Sequence, residues 1–354
     1  MNAYPTNSRE RDQWVLSQRP ARNAVDPRRP YAFLVEEERA ESGAIVPVVT
    51  IFLTNRECPW RCLMCDLWKN TLAETVPVGA IPAQIDYALA QCRTGVPPVP
   101  NGQGASNTNE TSDLYSTPRH VRDRRDGCPA LRQIKLYNSG SFFDPRAIPT
   151  ADHPAIAGRV RAFERVIVEC HPALVGESCL RFRDRLAGKL EVAMGLETAH
   201  PEVLEKLNKR MTLDQFAHAA EFLRKNEIAL RVFILVKPPF LDEAEALPWA
   251  KRSLDFAFHC GATVASLIPT RQGNGALETL ASRGEFSPPK LSTLEKAVDD
   301  GIGLRRGRVF ADLWDLEKFS SCAECFGARQ ERLRQMNHTQ IVKSEVECHQ
   351  CAGQ

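Results

Sequence analysis

Three cysteines stand within eight residues at Cys58, Cys62 and Cys65, spaced Cys-x-x-x-Cys-x-x-Cys directly after the apolar run 46–53. Thiolates are soft ligands for iron and zinc. On a loop leaving a buried strand, three of them can hold three irons of a 4Fe-4S cluster and leave the fourth iron without a protein ligand. A four-cysteine set closes such a cluster and suits electron carriage. An open iron is a coordination site for a small molecule, and hence a place for chemistry. A zinc site or a set of buried thiols is the alternative, but zinc draws four ligands in two pairs, and no fourth Cys or His stands in this loop.

The loop needs a scaffold, and the chain supplies a pattern for one. Strand-like apolar runs recur at 48–53, 134–137, 166–170, 190–196, 230–236 and 264–268, with helical patterns between them. Continuous Val/Ile/Leu runs mark strands buried on both faces, as parallel sheets require. Thr212 with Gln215 forms a capping box ahead of Leu213, Phe216, Ala220 and Leu223, with a stop at Asn226; Asp242 with Glu245 opens another helix, and Gly261 closes it. This is βαβ grammar. The fold class expected is α/β, a partial parallel (β/α)6 barrel over residues 46–290, with an N-terminal arm over 1–45 and a Cys-rich C-terminal extension over 291–354. A stretch over 93–128, rich in Pro, Gly, Asn and Ser and then in charge, holds too few large apolar groups to order and reads as a disordered insertion.

In such sheets ligands gather at the carboxyl ends of the strands, so the tips of the runs are the candidate site. The second run ends Asn138-Ser139-Gly140-Ser141, where Gly140 lets backbone approach a ligand closely. The third ends in Glu169, a carboxylate on an apolar strand that is costly to bury without a cation. The fourth ends in Glu197 and the fifth in Lys237. Taken singly, each acid also reads as a surface salt bridge, and Lys237 reads equally as a carboxylate ligand or as an exposed side chain.

The cysteine spacing, set after a strand, resembles that of the radical S-adenosylmethionine (SAM) enzymes. Three phrases are similar to the archaeosine-biosynthesis radical SAM proteins and, more distantly, to the radical SAM subunit of elongator. These are residues 135–145, Gly195-Leu196-Glu197-Thr198 with 202–206, and 235–241. The resemblance covers about residues 46–289, the insertion apart. It implies a 4Fe-4S cluster on Cys58, Cys62 and Cys65, and SAM chelating the open iron. Ser139 and Gly140 stand where relatives carry a Gly-Gly-Glu-Pro-like stretch that meets the SAM amino group, Glu169 suits the SAM ammonium, and Glu197 falls where relatives hold the ribose hydroxyls. Met64 replaces an aromatic residue that contacts adenine in many relatives. The activity implied is generation of a 5′-deoxyadenosyl radical with a flavodoxin- or ferredoxin-type electron donor. The substrate implied is a transfer-RNA (tRNA) base; a small metabolite or peptide is the alternative, and a non-catalytic Fe–S or zinc protein is a third reading.

The tail carries a second signal. Cys322 and Cys325, then Cys348 and Cys351, make two Cys-x-x-Cys pairs separated by 22 residues, the spacing of zinc ribbons and knuckles. Tetrahedral zinc, a closed auxiliary Fe–S cluster and unligated thiols all fit this pattern. Seven of the twelve cysteines fall in the two clusters, and no stretch approaches the ~18 apolar residues of a membrane span, so a reducing cytoplasm is the compartment expected and no membrane partner. A net charge of +2 singles out no partner. The arginines of the arm and of 119–125 offer RNA contact as an alternative to a solvated surface.

Overall fold

The computed structural model describes residues 3–94 and 131–351. Six strands occupy the apolar runs: β2 (Ile45–Leu53), β3 (Gln133–Asn138), β4 (Arg165–Glu169), β5 (Lys189–Glu197), β6 (Ala229–Val236) and β7 (Val264–Pro269), each parallel to the next. Two further strands lie at the edges. β1 (Ala32–Arg39) pairs antiparallel with β2, and β8 (Arg308–Ala311) continues the parallel order beyond β7. Strand order follows chain order throughout, and the eight-stranded sheet is open and strongly curled into a half-barrel.

Helices join the strands in the order expected of βαβ units. Helix α1 (Ser8–Gln18) precedes the sheet; α2 (Ala80–Thr94), α3 (His153–Arg159) and α4 (Glu177–Arg183) fill the first three parallel crossovers. The pair α5 (Pro201–Lys206) and α6 (Leu213–Lys225) leads to β6, α7 (Glu243–His259) to β7, and α8 (Ala276–Ala281) with α9 (Leu291–Gly303) to β8; α10 (Ala323–Thr339) follows. Both expected capping boxes form, Thr212 with Gln215 on α6 and Asp242 with Glu245 on α7. Side chains alternate across the sheet. Val49, Ile51, Leu136, Val192, Met194, Val232 and Ile234 bury against the helices in one continuous core.

The other, concave face carries charge. Near the amino ends of the strands, Glu38 pairs with Arg231 at 2.6 Å and Lys135 at 2.7 Å, while Glu191 pairs with Arg231 at 2.7 Å and Arg165 at 3.1 Å. Although burial alone would raise its pKa, Arg231 and Lys135 hold the Glu38 carboxyl well below the usual carboxylate range. These ion pairs floor the half-barrel. They also explain why β1 is not legible as an apolar run: its Glu36 and Glu38 are drawn inward by Lys135 and Arg231.

Three features depart from the organisation expected. Residues 1–45 are no extended arm, since they include α1 and β1, and Arg11 of α1 donates to the Glu205 carbonyl at 2.9 Å. The sheet runs on past residue 290, because α9 packs on α7 and β8 pairs with β7. The insertion read over 93–128 lies outside the described residues, save that Arg93 and Thr94 end α2. Among the described residues, no helix is long and apolar enough to cross a membrane.

Helix α10 spans the opening of the curled sheet, packing on both β1 and β8. Two side-chain amides at its end imitate a ninth strand. Asn337 accepts from Ala311 N–H at 2.8 Å and donates to its carbonyl at 2.9 Å; Gln340 does the same for Val309, at 2.7 and 2.8 Å. Arg39 of β1 reaches the His338 carbonyl at 3.0 Å. The backbone edge of β8 that would template pairing with another chain is thereby covered, and α10 packs against β1 on the other side.

Candidate metal and cofactor site at the strand tips

The cysteine loop leaves β2 with its backbone already partnered. Gln84 of α2 accepts from Thr54 N–H at 2.8 Å and donates to its carbonyl at 2.7 Å. Arg61 donates to the Cys58 carbonyl at 2.6 Å, Asn208 to that of Arg61 at 2.9 Å, Asn274 to that of Leu63 at 2.7 Å, and Trp68 to that of Cys65 at 3.1 Å. Leu63 plugs into an apolar cluster with Trp14 and Val15 of α1 and Leu277 and Leu280 of α8. Glu57, next to Cys58, is gripped by Arg19, Arg22 and Arg61, with Arg19 at 2.7 Å and Arg61 at 3.1 Å. Trp60, between the first two cysteines, stacks on His171 after β4, with ring centroids 3.8 Å apart. His171 accepts at Nδ1 from Ala173 N–H, which leaves Nε2 as the donor to the Lys209 carbonyl at 3.0 Å.

Burial pushes all three loop thiols up: Cys62 to about 12, Cys58 upward and Cys65 well above its ordinary value. Three soft thiol donors on one loop, with the backbone between them already hydrogen-bonded, fit a group that takes three thiolates at once.

The turn after β3 is fitted to the loop. Gly140 has φ +114, and a Cβ there would lie 2.4 Å from Cys58 Cβ, so the close approach of the cysteine by itself requires glycine. The Ser139 backbone is held by Asn55: its N–H donates to Asn55 Oδ1 at 3.2 Å, and its carbonyl accepts from Asn55 Nδ2 at 3.1 Å. Glu169 ends β4 beneath the same turn, accepting from Asn138 N–H at 3.1 Å, with its own carbonyl accepting from Phe142 N–H at 2.8 Å. No salt bridge reaches it among the described residues, and burial pushes its carboxyl up to about 8. Both side-chain amide atoms of Asn138 and the Thr54 hydroxyl are likewise buried without a protein partner. Polar groups in that condition call for water or a ligand.

Glu197 ends β5 at a register shift between Gly195 and Glu197, with φ +65; bulges of this kind re-aim side chains at sites. Its carboxylate binds Lys209 Nζ at 2.5 Å. Burial alone would lower the pKa of Lys209, but Glu197 and Cys62 hold the ammonium above its ordinary value. A Cβ on Gly195 would collide with both partners, at 2.1 and 2.4 Å. Sequence reading missed Lys209, which lies in the loop between α5 and α6 and reaches the site only through strand order. Lys237 is not exposed: it is buried and bound to Glu243 and Ser287, each at 2.8 Å. Met64 packs toward Val203, Leu207, Leu235 and Leu241.

The four tail cysteines form a second centre. Cys322 and Cys325 open α10, Cys348 and Cys351 return on the tail, and all four sulfurs lie within 4.8 Å of one another. Among the described residues this is the one Cys/His/acid group gathered so tightly.

No family model matches the chain. It is 32% identical over 167 residues to archaeosine synthase subunit beta of Methanosarcina acetivorans, a match covering 45% of this chain and 47% of that protein. The chain thus spans about half the length of that relative. An uncharacterized protein of Methanocaldococcus jannaschii is 22% identical over 92% of this chain and 87% of its own length. Among solved structures, methylornithine synthase (PylB) aligns with a TM-score of 0.47 at 11% identity, over 75% of this chain and 64% of that one. The resemblance to the archaeosine branch read in the sequence is borne out by the first of these relatives.

Proposed function

We propose that this chain is a radical SAM enzyme, binding a 4Fe-4S cluster through Cys58, Cys62 and Cys65 and SAM at the adjoining strand tips. The observation that carries this reading is Glu169, a half-buried carboxylate with no salt-bridge partner among the described residues, set beneath the turn that presses on Cys58. A positively charged ligand would supply the missing charge and lower the carboxyl's pKa. Lys209 offers the complementary charge for a carboxylate, with Glu197 keeping it protonated and oriented. When bound, the cluster and SAM together supply one-electron cleavage of the sulfonium and a 5′-deoxyadenosyl radical. The chain's part is to fix the loop through Arg61, Asn208, Asn274 and Trp68, to orient SAM between Glu169 and Lys209, and to leave the concave face for substrate.

A tRNA base is the substrate favoured, on the strength of the archaeosine synthase relative; a small metabolite or peptide is the second reading, since no nucleic-acid-binding module is legible in the chain. Anaerobic reconstitution followed by an assay for 5′-deoxyadenosine tests the first step. Cleavage should vanish in Cys62→Ala, and cleavage that survives this change would sink the cluster assignment. Sequencing of RNA recovered with the purified protein distinguishes the substrates: enrichment of tRNA supports the first, and its absence favours the second. Turnover with flavodoxin or ferredoxin as reductant identifies the donor class.

A further inference from the structure

We infer that Cys322, Cys325, Cys348 and Cys351 hold one tetrahedral zinc ion, and that this ion latches α10 across the two edges of the sheet. Four thiolates on a single ion at a metal–sulfur distance of about 2.3 Å sit about 3.8 Å apart along each edge of the tetrahedron. Cys322 and Cys348 place their sulfurs 3.9 Å apart, and Cys325 and Cys351 place theirs 3.7 Å apart. A disulfide would draw a pair to about 2.05 Å. Sulfurs on the separate irons of a cluster are held wider than this, because the irons stand between them. Four sulfur ligands leave no open position, which marks a site that shapes the fold and does not carry out chemistry.

The ion's position gives it that role. Residues 341–348 have no regular structure and return along α10, where Arg332 donates to the Ser344 carbonyl at 2.9 Å and the Lys343 carbonyl at 2.7 Å. Cys322 caps α10 and Cys325 lies in its first turn, so the ion ties the returning tail to the start of the helix. The same helix ends in the amides that pair with Val309 and Ala311, and beside the carbonyl that accepts from Arg39. Fixing one end of α10 fixes the other against β8 and β1. None of this depends on what the loop cysteines hold.

Elemental analysis of the full chain, purified without iron reconstitution, should give about one zinc per chain. Cys348→Ser should lose it, while Cys348→His, which leaves a three-cysteine, one-histidine set, should keep it; iron taken up on later reconstitution should be equal in all three. Amide hydrogen exchange at Val309 and Ala311 should quicken by tenfold or more in Cys348→Ser. Should that variant precipitate, stripping zinc from the wild-type chain with an organomercurial and a chelator gives the same readout. The inference is overturned if iron falls with the tail substitution, if Cys348→Ser retains zinc, or if exchange at Val309 and Ala311 is unmoved by loss of the ion.

Discussion

A methyl group on residue 140 would meet the side chain of Cys58 at 2.4 Å, on backbone already at φ +114. Gly140→Ala should therefore cost about 1–3 kcal/mol of stability and displace the first cysteine. The check is iron per chain after anaerobic reconstitution, expected to fall by at least half while secondary structure by circular dichroism is kept. Glu169 gives a pH signature. With its carboxyl raised to about 8, binding a cation expels a proton, so affinity for SAM should climb as pH rises from 6.5 toward 8 and level off above it. The climb is at most about tenfold per unit, and calorimetric titration of Glu169→Gln should show a weak, flat profile. The cysteines and Glu169 were legible because their residue types are improbable in their settings: three thiols in eight residues, and an acid on an apolar strand. Lys209, Asn208, Asn274 and the Trp60–His171 stack were not, since each is an ordinary loop residue until the order of strands brings it to the cysteines.

At the scale of elements, the informative contacts are those that end the sheet. Asn337 and Gln340 each satisfy a donor and an acceptor on β8, and removing such partners from a buried edge costs about 1–3 kcal/mol apiece. The double variant Asn337→Ala/Gln340→Ala should lower the urea midpoint accordingly and raise light scattering on heating, as the bared strand pairs between molecules. Little effect on either would mean that β8 is protected by other means. The six inner strands were readable from continuous apolar runs, and the two edges were not. β8 is four residues long, and β1 is half charged because its inward face meets cations instead of side chains of the core. Periodicity reports burial, and a strand that buries ion pairs escapes it.

Across the whole molecule, the half-barrel divides its concave face between a charged floor at the amino ends and the cysteine site at the carboxyl ends. Glu38 belongs to the floor with its carboxyl held below the ordinary range by Arg231 and Lys135. A depressed folded pKa stabilises above the unfolded value, near 4.5, and that contribution is lost as pH falls below it. Melting temperature should drop between pH 5 and pH 3, with a shallower slope in Glu38→Gln; equal slopes would count against the floor as a source of acid sensitivity. Breaking such a buried pair is also expensive at neutral pH, about 3–5 kcal/mol, so Glu38→Gln should start from a lower melting temperature at pH 7.

Because each strand lies beside its predecessor in the chain, assembly can advance in one direction, every new strand docking on the last without threading past an occupied neighbour. The cysteine loop sits between the first two parallel members of that series, yet Leu207 and Asn208, which clasp its backbone, arrive some 140 residues later. A growing chain therefore presents the cysteine loop on an accessible rim before the clasp exists, and the loop's backbone is secured only as the fifth strand and its following loop settle into place.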